Sequence, residues 1–66
     1  MKGEIRKREY DDGAIVNYAV IKIEENNFII AADNLFVQRY INCSEEVAID
    51  KFFKDYNRYI SYEIAD

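Results

Sequence analysis

Residues 11–32 read DDGAIVNYAVIKIEENNFIIAA, and this stretch decides the fold. Asp11-Asp12-Gly13 is a turn signal: Gly accepts the positive φ that hairpin loops require, and Asp favours the positions before it. Residues 14–24 then run as a strand. One face presents Ile15, Asn17, Ala19, Ile21 and Ile23, and the other Ala14, Val16, Tyr18, Val20 and Lys22. Both faces are largely apolar, which predicts a central strand covered at least partly on each side. Glu25-Asn26-Asn27 is a second turn, with Asn tolerating left-handed backbone, and residues 28–32 return as a short strand. Asp33-Asn34 is a third turn signal. Short runs joined by tight turns make an antiparallel meander.

The flanks extend that pattern. Residues 4–10 form a charged strand, with Ile5, Lys7 and Glu9 on one face and Glu4, Arg6, Arg8 and Tyr10 on the other. Charge of this kind suits a sheet edge, where it discourages unwanted pairing. Residues 35–42 carry two signals. Phe36, Val37, Tyr40 and Ile41 favour a strand, whereas Leu35, Phe36, Arg39, Tyr40 and Cys43 also fit a helical stripe. As the continuation of a meander the segment is expected to be a strand.

A helix follows. Asn42 or Ser44 caps it, Glu45, Glu46 and Asp50 lie in its first turns, and Lys54 and Arg58 lie towards its end, as the helix dipole favours. Ile49, Phe53, Tyr56 and Ile60 form an i, i+4, i+7, i+11 stripe, and Asp50–Lys54 and Lys51–Asp55 are i, i+4 pairs. Ile64 continues the helical stripe, but residues 59–64 also alternate like a strand, so the helix stop is placed near Tyr59 with a final short strand allowed. The expectation is one α+β domain spanning residues 1–66: an antiparallel meander of three or four strands with one amphipathic C-terminal helix on one face. Its expected core is Ile15, Ile21, Ile23, Ile30, Val37, Ile49, Phe53 and Ile60.

Composition narrows function. The 66 residues contain no His, no Pro and one Cys, so neither an internal disulfide nor a zinc site can be assembled, and no metal or cofactor is expected. The commonest catalytic base is missing, and Cys43 has no His to activate it. Gly3 and Gly13 are too far apart for a phosphate loop. The doublets Asp11-Asp12, Glu24-Glu25 and Glu45-Glu46 fall at turns or a helix start, where acids are ordinary solvated residues. These features argue against catalysis. The longest uninterrupted apolar run, residues 28–32, is too short for a membrane span, which takes about 20 residues. The basic first residues lack the apolar stretch of a secretory signal, and a lone Cys fits a reducing compartment, so a cytoplasmic protein is expected.

The charge is uneven. Residues 1–10 carry Lys2, Arg6, Lys7 and Arg8 against Glu4 and Glu9, a balance of +2. The remainder carries five basic and eleven acidic side chains, a balance of −6, giving −4 for the chain. An acidic body repels nucleic acid and attracts a basic protein surface. Six Tyr, a residue enriched at protein interfaces, add aromatic anchors. Tyr18 and Tyr56 fit the core, whereas Tyr10, Tyr59 and Tyr62 lie near element ends and are contact candidates. With them stand the acids at turns and helix start: Asp11, Asp12, Glu24, Glu25, Asp33, Glu45, Glu46 and Asp50.

The expected function is a small inhibitor or modulator that docks this surface on a basic partner, mimicking nucleic acid where that site normally holds it. In size and acidity the chain resembles small phage-encoded anti-host or anti-defence proteins, among them the anti-CRISPR proteins. The alternative is a homo-oligomeric structural or regulatory module with a ligand or partner site between subunits. A core this small without a staple rarely supplies more than about 3–5 kcal/mol, so a homodimer would add needed burial.

Overall fold

The computed structural model describes residues 2–64, with side chains described as far as Ile60. Four strands, β1 (Lys2–Glu9), β2 (Ile15–Glu24), β3 (Asn27–Ala32) and β4 (Val37–Ile41), form one antiparallel sheet in the order β1-β2-β3-β4. The helix α1 (Glu45–Ile64) packs across one face. This is the expected α+β meander, with residues 37–41 a strand and β1 at an edge.

The turns carry out what their residues prescribe. In the β1–β2 loop the Tyr10 N–H donates to the Ala14 carbonyl, the Asp12 carboxylate accepts from the Ala14 N–H, and Gly13 sits at φ 90°. In the β2–β3 turn Asn26 takes φ 56°, and a register shift places a bulge between Lys22 and Glu24. Ser44 caps the helix: its Oγ accepts from the Val47 N–H at 3.3 Å. Asn42 takes φ 60° and ties the β4–α1 connection to the β2–β3 turn, its N–H donating to the Asn26 carbonyl at 2.7 Å.

Three expectations need correction. The first concerns the core, which is Val16, Tyr18, Val20, Phe28, Ile30, Ala32, Ala48, Phe52, Phe53 and Tyr56. Ile30 and Phe53 are in it, and Ile49 and Ile60 pack at its margin. Ile15 is 52% exposed, Val37 is also exposed, and Ile21 and Ile23 are only half-buried. They lie on the opposite face of the sheet, which nothing among the described residues covers. The expected cover on both sides of β2 is therefore absent. The helix selects the Val16–Tyr18–Val20 face because its own buried residues are mostly rings. Tyr18 meets Phe53 edge-on at 4.9 Å between centroids, Phe52 meets Phe53 at 5.1 Å, and Phe36 meets Phe52 at 5.6 Å.

The second correction is the helix end. The helix runs on through Ile64, and no final strand forms among the described residues. Ile60 continues the apolar stripe onto the core, and neither Gly nor Pro interrupts it. Lys54 and Arg58 therefore sit well inside the helix, and the last turn has no basic residue. The third is the Lys51–Asp55 pair. Asp55 instead accepts a 2.6 Å hydrogen bond from the Tyr40 hydroxyl, while Lys54 and Asp50 pair at 3.3 Å as expected.

The two sheet faces differ in energetic weight, which yields a direct comparison. Phe52→Ala empties a site at 0% exposure and should cost about 3–5 kcal/mol, enough to unfold most of the chain at 25 °C. Ile15→Ala on the open face should cost less than about 1 kcal/mol. Urea titration followed by circular dichroism checks both. Equal losses would mean that Ile15 itself, at the β1–β2 end of the open face, is buried in solution.

Candidate functional site

Meander topology sorts the candidate residues by end. The β1–β2 and β3–β4 turns share one end of the sheet, and the β2–β3 turn and β4–α1 connection share the other. The helix starts at the second end and returns toward the first. Asp11, Asp12, Asp33, Tyr10 and Tyr59 therefore gather at the first end, whereas Glu24, Glu25, Glu45 and Glu46 lie at the second. Asp50 lies one turn further along the helix.

The two groups differ in how their charge is used. At the second end, Arg6 joins Glu45 at 3.0 Å and Glu4 at 2.8 Å, and Lys22 joins Glu25 at 2.7 Å. The hydrogen bond from Arg6 holds the Glu4 carboxyl below the usual range, and the one from Lys22 does the same to Glu25. Glu24 accepts a hydrogen bond from the Asn27 amide, and Asn27 accepts one from Arg39. Arg6 of the leading strand is thus engaged within the fold. Arg8, too, stacks its guanidinium over Phe53 at 4.6 Å and Tyr10 at 5.5 Å.

At the first end, Asp11, Asp12 and Asp33 form no salt bridge among the described residues. Among the described residues, the one backbone hydrogen bond that an acid there accepts runs from the Ala14 N–H to Asp12. The pole is staggered. β2 runs three residues past its Tyr18–Ala32 pair, so the Asp11-Asp12 turn stands about 10 Å beyond Asp33. Tyr56 links the group from below. Burial raises its hydroxyl above the ordinary tyrosine value, and Asp33, Tyr10 and Tyr59 add to the shift because all three surround it.

The tyrosines divide accordingly. Tyr18 and Tyr56 are buried. Tyr10 is half-buried, with its hydroxyl donating to the Asn57 amide oxygen at 3.2 Å. Tyr59 is 37% exposed and stacks on Phe36 at 4.7 Å. Tyr62 lies on the helix, and its side chain falls outside the described residues.

One residue of this pole was missed by sequence reasoning. In the β3–β4 loop the Ala32 N–H donates to the Phe36 carbonyl, and the Leu35 N–H to the Ala32 carbonyl. The Asn34 side chain accepts from the Phe36 N–H. This repeats the hydrogen-bond pattern of the β1–β2 loop, with Leu35 at φ 70° where Gly13 stands at φ 90°. A leucine in this conformation is strained by about 1–3 kcal/mol, and Leu35 is also 87% exposed. The signal was present as Asp33-Asn34 followed by a residue required to take positive φ.

Among the described residues no group of three or more His, Cys, Asp or Glu is placed to hold a metal ion, and Cys43 is a half-buried free thiol. No helix among the described residues is long and apolar enough to cross a membrane. Comparison with family models, curated proteins and solved structures gives no match.

Tyr40 supplies a test of the helix–sheet contact. Burial raises its hydroxyl above the ordinary tyrosine value, and the bond to Asp55 adds to this. The folded state therefore favours the protonated phenol. That stabilisation is complete below the unfolded tyrosine value, about pH 10, and is lost as pH rises beyond it. Tyr40→Phe should cost about 1 kcal/mol at pH 7 and flatten the fall in stability above about pH 10. Urea midpoints across this range check it.

Proposed function

We propose that the chain is a small non-catalytic inhibitor or modulator that binds a basic protein surface through the pole formed by Asp11, Asp12, Asp33, Tyr10, Tyr59 and Leu35. It would act in the cytoplasm, in the manner of phage anti-host or anti-defence proteins. Where the partner site normally holds nucleic acid, the pole takes its place. The observation that carries this reading is the division of the acids: those at the opposite end are largely engaged by Arg6, Lys22 and Asn27, while the three aspartates of the pole form no ion pair among the described residues. Unspent charge steers encounter, and the apolar and aromatic residues beside it supply anchors. The uncovered face of the sheet supports a second reading, self-association.

The test is capture from a cell lysate with the immobilised chain. Retention should be strong at about 0.05 M salt and weak at about 0.5 M, where exposed charges are screened. Combined Asp11→Asn, Asp12→Asn and Asp33→Asn should abolish it, because Asn keeps the loop hydrogen bonds and removes only charge. Leu35→Gly should raise stability by about 1 kcal/mol through relief of the positive φ, yet weaken capture. A partner retained equally at both salts, or by the triple variant, would remove the pole from the mechanism.

A further inference from the structure

The face of the sheet turned away from the helix carries two adjacent cross-strand rows. One is Ile5–Ala19–Ala31–Val37, and the other is Gly3–Ile21–Ile29–Arg39. In the middle of the sheet the first row is small and the second large. The alanines form the floor of a shallow hollow of about 270 Å³, bordered by Ile5, Asn17 and Asp33. Ile21 and Ile29 form a ridge beside it. Ile5 stands 81% exposed at one side and Val37 52% at the other.

We propose that this face binds a second copy of the chain, ridge into hollow. A two-fold axis lying in the interface, across the strands and between the rows, exchanges the rows while keeping strand order. Ala19 then faces Ile21, Ala31 faces Ile29, and Ile5 faces Gly3. Val37 faces the aliphatic stem of Arg39. Each large side chain meets a small one or a flexible stem, apart from the roughly 30° offset natural to packed sheets.

Charge fits the same occupant. The chain carries −4, but this face is rimmed by Lys7 and Arg39 against Glu9, Glu24 and Asp33, a balance of only −1. Two copies therefore meet with less repulsion than their remaining surfaces would impose. Area fits as well. The 29 residues of the four strands, each covering about 4.8 Å by 3.4 Å, give about 470 Å² per copy, or about 950 Å² in all, close to the lower bound for a specific interface. The acidic poles would then point in opposite directions, and the dimer would present two docking ends. The proposed contact borders the pole only at Asp33, and Asp11, Asp12, Tyr59 and Leu35 lie outside it, so Ala31→Ile tests the dimer and Asp11→Asn with Asp12→Asn tests the pole separately.

Sedimentation equilibrium of the full chain should show the 7.8 kDa mass doubling between about 1 μM and about 1 mM. Ala31→Ile fills the hollow with a residue that suits a strand and adds apolar surface. It should weaken dimerisation by about tenfold or more, whereas nonspecific stickiness would strengthen it. Ile29→Lys should give a monomer. In a mixture of labelled and unlabelled wild-type chain, intermolecular nuclear Overhauser effects should connect the methyl groups of Ile21 and Ile29 to those of Ala19 and Ala31, a readout independent of whether any variant folds. A mass of one chain at every concentration, dimerisation unchanged or strengthened by Ala31→Ile, or intermolecular contacts placed on the helix would each overturn the assignment.

Discussion

One helix cannot cover both faces of a four-stranded sheet, and the rest of the molecule follows from which face it takes. Helix α1 lays Ala48, Phe52, Phe53 and Tyr56 against Val16, Tyr18, Val20, Phe28, Ile30 and Ala32. Rings dominate that layer, and Ala48, at 0% exposure, lets the helix backbone approach the sheet. Arg6, Arg8 and Tyr40 close its borders by pairing with Glu45, stacking on Phe53 and bonding Asp55. Arg6 and Arg8 of the N-terminal strand are held against the fold in this way. Among what remains exposed are an apolar sheet face of low net charge on one side and an acidic pole at one end.

The strand order was legible because each turn announced itself. Asp11-Asp12-Gly13 and Asn26 were placed correctly, and four runs separated by such turns leave a meander as the simplest arrangement. The core was only partly legible. β2 is apolar on both faces, so periodicity cannot choose between them. Counting isoleucines favours Ile15, Ile21 and Ile23, the face that stays open. The choice is made by the partner element: a helix bearing Phe52, Phe53 and Tyr56 meets Tyr18 edge-on through Phe53 and stacked through Phe52, a preference for ring geometry that no window along one strand contains. The helix end failed for a related reason. Residues 59–64 alternate, but no sheet edge receives them, and Ile60 holds the helical stripe on the core.

The candidate site was legible in its residues and not in its grouping. Acids at turns and at a helix start look alike in sequence. Only the topology separates Asp11, Asp12 and Asp33 from Glu24, Glu25 and Glu45, and only the positions of Arg6 and Lys22 discharge the second set. Exposed ion pairs of this kind contribute little to stability, typically about 0–1 kcal/mol. Their consequence here is the asymmetry of charge between the two ends.

Leu35 bears most directly on whether that asymmetry has a use. The chain contains its own control, because the β1–β2 loop solves the same geometry with Gly13 and without strain. A leucine in the equivalent position gives the isolated fold nothing visible: its side chain is 87% exposed and its backbone is held at φ 70°. Strain of this kind persists when the surroundings over-determine it, and the loop hydrogen bonds from Ala32, Phe36 and Asn34 do so. The apolar side chain is thereby presented outward beside Asp33 and at the same end as Tyr59, rigidly and away from the core. A pre-ordered apolar anchor loses little freedom on docking, which is the condition under which a small contact area yields useful affinity.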